Sequence, residues 1–103
     1  FADGHTDVVP VSADRWRHDP FGGEIVDGVL YGRGATDNKS GVLAFNKAAK
    51  AFMAVRGELP VNLKFSIEGE EEIGSPHISQ IVHRPELLDE VPESLSFFGF
   101  GLG

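Results

Sequence analysis

Three groups of side chains combine types able to hold a divalent metal and move a proton: His5 with Asp7, Asp37 alone, and Glu70, Glu71 and Glu72 within EGEEEIGS, residues 68–75. Imidazole and carboxylate ligands without a thiolate suit zinc, manganese or cobalt, and the chain contains no cysteine. His5 and Asp7 lie two residues apart, so in extended backbone they face the same side. Asp7 can then accept a hydrogen bond from the imidazole nitrogen turned away from a metal. Each group also has an ordinary reading. His5 can be a polar loop residue, Asp7 a turn-former, Asp37 the cap of a helix starting at Asn38, and the glutamate run a solvated strand end. Residue types and spacing alone leave both readings standing.

The surrounding pattern alternates strands and helices. FADGHTDVVPV reads as a strand end entering a loop, stopped by Pro10. A polar loop with Trp16, Asp19 and Phe21 follows, then EIV and VLYG flanking Asp27-Gly28, a dipeptide suited to a tight hairpin. From Asn38 to Arg56, Val42, Phe45, Ala49, Phe52 and Met53 recur at three- and four-residue steps, predicting an amphipathic helix closed by Gly57. LPVNLKFSIE alternates Val61, Leu63, Phe65 and Ile67 with polar residues, predicting a strand with one buried face that ends at the glutamates. Ser75-Pro76 predicts the cap and first turn of a helix reaching about His83, and a short helix around PELLDEV leads to a last strand over 95–100. A helix between strands belongs to an α/β sandwich, whose sites gather beyond the carboxyl ends of the strands.

The chain has 103 residues, enough for one domain with a modest core. Sixteen acidic against nine basic side chains give a formal charge of −7, which disfavours nucleic acid and anionic membrane and favours cations or cationic substrate groups. No run is long enough to span a membrane and no secretory leader is visible, which points to a cytoplasmic location. A start at Phe1 and an apolar, glycine-rich end predict a fragment.

GHTDVVP, W..DPF, DGVLYGRGATDNKSG and EGEEEIGS, in this order over about residues 2 to 76, resemble metallopeptidase family 20, whose branches include dipeptidases, deacylases and desuccinylases. The resemblance implies part of a three-layer α/β/α sandwich of the zinc-exopeptidase type, residues 1–103 being the N-terminal part of its catalytic domain. It implies two divalent ions, zinc first and cobalt or manganese as alternatives, and a parent homodimer built through a domain absent here. Residue by residue, it implies that His5 binds one metal, that Asp7 orients His5, and that Asp37 bridges both metals with a cis peptide following it. Counting back from Gly74-Ser75, it implies Glu71 as general base and Glu72 as ligand of the second metal, leaving Glu68 and Glu70 as bystanders. A slip to Glu70 as base and Glu71 as ligand breaks the Gly-Ser spacing.

The implied activity is hydrolysis of a peptide or amide bond in a small substrate by a water held between two metals. A dipeptidase reading leads, and an N-acyl amino acid deacylase or desuccinylase is the alternative. An inactive fragment or interaction module keeping only the fold is the reading from another class. The family's further ligands, a carboxylate after the next strand and a distant histidine, have no match here: LSFFGFGLG holds no acid, and Asp89, Glu90 and Glu93 precede it. The isolated chain is therefore expected to bind metal weakly and turn over little or nothing. His18, His77 and His83 are expected to be surface groups, Arg33 a brace for the Asp37 loop, and the Trp16 loop a packing lid rather than a substrate entrance.

Overall fold

A computed structural model of the chain describes residues 1–88 and 95–96. The first strand, β1 (Ala2–His5), is followed by a loop containing one short helical turn at Ala13–Arg15 and by the hairpin β2 (Ile25–Val26) and β3 (Val29–Leu30). Its turn places Asp27 at φ 50° and Gly28 at φ 80°, the paired left-handed geometry for which Asp-Gly is the favoured dipeptide. An irregular turn, Ala35–Ser40, then leads into α1 (Gly41–Arg56), which closes on Gly57 in the left-handed conformation. After it come β4 (Phe65–Glu68), a single 3-10 turn at Glu71–Ile73, α2 (Ser79–Val82), α3 (Pro85–Leu88) and β5 (Leu95–Ser96).

Strands β4, β1 and β5 form one parallel sheet in that order, and the hairpin stands apart as a two-stranded sheet. The register sets Ala2 against Phe65 and His5 against Glu68, so β1 and β4 end together. The chain passes from β1 through α1 to its neighbour β4, then crosses β1 to reach β5 on the other side. A parallel sheet places its crevice at the carboxyl ends beside such a change of direction. The α/β expectation is met, and the segment 97–100 of the expected last strand lies outside the described residues.

Local expectations hold unevenly. The helix begins at Gly41 rather than Asn38, because Asp37 (φ −112°, ψ 97°) and Asn38 (φ −131°, ψ 17°) are not helical. Its apolar stripe splits: Val42, Phe45 and Ala49 are half-buried, while Phe52 and Met53 are exposed. The expected strand over 59–68 shortens to Phe65–Glu68. Its supposed buried face is open instead, with Val61 62%, Phe65 42% and Ile67 50% exposed, whereas Ser66 on the opposite face is buried. The physical reason is placement: α1 packs over β1, and it reaches the edge strand β4 through an edge-to-face contact of Phe45 with Phe65 at 6.3 Å. Ser75 does not cap a helix either. It takes φ 52° and donates from Oγ to Glu68 Oε1 at 2.8 Å, and the helix starts only at Ser79. Among the described residues no helix is long and apolar enough to cross a membrane.

Candidate metal centre

The carboxyl ends of β1 and β4 carry the site. Pairing continues past both strands, as Thr6 N–H donates to the Glu68 carbonyl at 2.9 Å, so the segment after His5 and the EGEEEIGS turn leave the sheet side by side. Gly4 lets the irregular turn and α1 approach β1 closely: a Cβ there would stand 2.7 Å from Val42 Cγ2 and 2.8 Å from Asn38 Oδ1. Asn38, 5% exposed, uses that same Oδ1 to accept the His5 backbone N–H at 3.2 Å. This bond ties the Asp37–Asn38 peptide, which is cis, to the end of β1. The sequence reading placed the expected cis peptide at Asp37–Asn38 but missed the Asn38 side-chain bond to the His5 N–H.

His5 is buried and its two nitrogens have separate environments. Nδ1 lies 3.1 Å from the Asp7 carbonyl oxygen and 3.3 Å from Asp7 Oδ1. Nε2 lies 3.1 Å from Asp37 Oδ1 and 3.5 Å from Glu71 Oε2. Burial alone would lower the His5 pKa; the hydrogen bond to the Asp7 carbonyl, the charge of Glu71 and the Asp37 carboxylate outweigh it and raise the pKa above the ordinary value of 6.5. Asp37 does not cap α1, whose start has no side-chain cap, and its carboxylate faces His5 instead. The capping alternative for Asp37 is thereby set aside.

The glutamates separate by partner. Glu68 accepts from Ser75 and Glu70 bonds His77 Nδ1 at 2.7 Å, so both point their carboxylates at local partners. His77 is thus an exposed hydrogen-bond partner of Glu70, and His18, half-buried, bonds Glu24 at 2.7 Å and stacks obliquely on Tyr31. Glu71 and Glu72 turn toward His5, and the three offer ligand atoms all within 4.8 Å of one another. Their backbone N–H groups bond the Asp7 carboxylate, Glu71 to Oδ1 at 3.2 Å and Glu72 to Oδ2 at 3.0 Å. Burial would push the Asp7 carboxyl up, but the N–H groups of Glu72 and Glu71, with the charge of His5, hold it below the usual value of 3.8. Sequence reasoning missed this link because its partners are backbone groups 64 and 65 residues away.

His5, Asp37, Glu71 and Glu72 line a cleft of about 380 Å³ with Asp3, Gly4, Asn38, Glu68, Ser75 and Ile78. Asp3 sits two residues before His5 on the same face of β1, and its Oδ1 is buried without a hydrogen-bond partner. Asp37, Glu71 and Glu72 thus gather around one imidazole in a cleft that Asp3 and Glu68 also line, and one Asp3 oxygen has no hydrogen-bond partner. Buried anionic oxygens call for cations, and a nitrogen with several carboxylate oxygens fits divalent zinc, cobalt or manganese. The expected residues His5, Asp7, Asp37, Glu71 and Glu72 are brought together here.

The Trp16 loop lies elsewhere. Arg33 stacks over Trp16, its guanidinium carbon 5.3 Å from the ring centroid, and its backbone N–H donates to the Pro20 carbonyl, so its contacts brace the Trp16 loop and not, as expected, the Asp37 loop. Asp19 accepts the Phe21 N–H, and none of Trp16, Asp19 and Phe21 lines the cleft.

Known proteins share much of this sequence and fold. The chain is 52% identical over 82 residues to the human Beta-Ala-His dipeptidase, a match covering 79% of this chain and 16% of that protein. It is 54% identical over 76 residues to Succinyl-diaminopimelate desuccinylase 2 of Ruegeria sp. (strain TM1040), covering 71% of this chain and 18% of that protein. The crystal structure of human carnosine dipeptidase 1 superposes with a TM-score of 0.73 at 50% identity, over 82% of this chain and 18% of that one. The chain thus spans less than a fifth of the length of the curated relatives it matches. The description Peptidase family M20/M25/M40 fits residues 2–99, nearly the whole chain, and the chain belongs to that family.

Proposed function

We propose that this chain supplies part of the catalytic centre of a metal-dependent hydrolase that cleaves a peptide or amide bond in a small substrate, a dipeptide first. The observation that carries the reading is the convergence of His5 Nε2 with Asp37 at 3.1 Å and Glu71 at 3.5 Å, beside Glu72. The dipeptide preference rests on similarity to a protein named Beta-Ala-His dipeptidase across 79% of the chain, against 71% for the desuccinylase. Deacylation or desuccinylation remains the second reading, supported by 54% identity to the latter.

In this reading His5, Asp37 and Glu72 would hold two divalent ions. Bound divalent ions supply Lewis acidity toward a carbonyl oxygen and lower the pKa of water. Glu71 takes a proton from the attacking water as the new C–O bond forms and passes it to the nitrogen as the C–N bond breaks. Adjacent positions would divide the work, Glu72 holding cation and Glu71 taking the proton. Asp7 and its own carbonyl keep Nδ1 of His5 as the protonated nitrogen, leaving Nε2 free as a ligand. Residues 1–103 are then the N-terminal part of a catalytic domain, and the complete protein a homodimer.

Glu71 also lies close enough to His5 and Glu72 to serve as a third ligand, so the test must separate base from ligand. In the complete protein, Glu71→Gln should abolish turnover while bound metal, measured by elemental analysis, stays at the wild-type ratio. Loss of metal would make Glu71 a ligand and refute its role as base.

A further inference from the structure

The 3-10 turn Glu71–Ile73 begins without a cap of its own, because the preceding Glu70 directs its carboxylate to His77. The first N–H groups of such a turn have no internal acceptors. Asp7 provides them from another segment, one oxygen to Glu71 N–H at 3.2 Å and the other to Glu72 N–H at 3.0 Å. The imidazole of His5, by contrast, sits nearer the Asp7 main-chain carbonyl (3.1 Å) than the carboxylate (3.3 Å). The backbone can therefore hold the ring while the carboxylate holds the turn. A side chain at the start of a turn takes its direction from the backbone there, and both glutamates must aim into the cleft beside His5.

We propose that Asp7 is a positioning residue for Glu71 and Glu72: its carboxylate clamps the two backbone amides and so aims the base and the ligand together. This rests on the hydrolase reading and adds to it a defined task for Asp7 beyond orienting His5. The clamp needs two acceptor oxygens. Asparagine keeps one and turns an NH2 toward the other amide; alanine keeps none.

The test uses the complete protein with Asp7→Asn, Asp7→Ala and, as reference, Glu71→Gln. Hydrogen exchange of the 69–75 segment is read by mass spectrometry on metal-free protein, and kcat, KM and bound metal on loaded protein. The clamp predicts faster exchange at two amides in Asp7→Ala and at one in Asp7→Asn. It predicts kcat lower by roughly 10–100-fold, the scale for groups that support metal-site residues, with less loss in Asp7→Asn and KM little changed. Metal retained in Asp7→Asn supports the clamp over a role confined to the imidazole. Wild-type exchange in both Asp7 variants, or metal loss with the amides still protected, would overturn it. If Glu71→Gln keeps full turnover, the hydrolase assignment of Glu71 fails instead, and the exchange data still decide the clamp. Should Asp7→Ala not fold, the near-isosteric Asp7→Asn carries the test.

Discussion

Replacing Gly4 with alanine adds a single methyl group at the tightest point beneath the site. Its Cβ would meet Val42 Cγ2 at 2.7 Å and Asn38 Oδ1 at 2.8 Å, distances that no real Cβ contact sustains. Val42 cannot swing aside easily, since a helical valine holds one side-chain rotamer about 90% of the time. Asn38 is held as well, because its Oδ1 is engaged by the His5 N–H. Relief must come from moving α1 or from breaking the Asn38–His5 bond. Overpacking of this kind costs about 1–3 kcal/mol, and the lost hydrogen bond adds about 1 kcal/mol. The sum, about 2–4 kcal/mol, should lower the urea midpoint by about 1–2 M at the usual sensitivity to denaturant. Because Asp37 precedes Asn38, the same shift should draw the carboxylate away from His5 and weaken zinc binding. Urea unfolding followed by circular dichroism, with calorimetric zinc titration of the same variant, measures both effects. A midpoint and affinity equal to wild type would refute the claim that β1 and the Asp37–Asn38 turn meet through Gly4.

Two further outcomes follow from the charges. His5 has a raised folded pKa, so its contribution to the metal-free protein is complete below its ordinary 6.5 and lost as pH rises through the folded value. Asp7 has a lowered one, so its contribution is present above its ordinary 3.8 and lost as pH falls through the folded value. Thermal melts of chelator-treated protein should therefore show these two groups stabilising most between 3.8 and 6.5, and equal melting temperatures across that window and beyond it would refute the pairing. With Glu71 as base rather than ligand, the proposed assignment leaves His5 with Asp37 and Glu72 with Asp37 among the described residues, fewer than the three protein ligands of open zinc sites; calorimetry on the 103-residue chain should find weak binding, and two tight equivalents per chain would overturn the ligand assignment.

The parts of the site that were legible in the sequence are those carried by local spacing. His5 ends a strand, Asp27-Gly28 turns a hairpin, and Gly74-Ser75, both at positive φ, close the turn that presents Glu71 and Glu72. What local spacing does not encode is which segment accepts a given N–H group or covers a given face. Ser75 looked like a helix cap and instead engages Glu68; Ile67 looked buried and lies on the open face of an edge strand. The Ser75 bond is made within one turn, seven residues apart, whereas the exposure of Ile67 depends on β4 lying at the sheet edge in register with β1, a pairing that joins residues more than sixty apart. The same register explains why the glutamate run divides as it does. His5 faces Glu68, so the next turn of chain must pass over the end of β1, where Asp7 meets the amides of Glu71 and Glu72. Glu70, before that clamp, falls outside and pairs with His77. Glu71 and Glu72, whose amides meet the Asp7 oxygens, therefore stand at the cleft, and Glu70 does not.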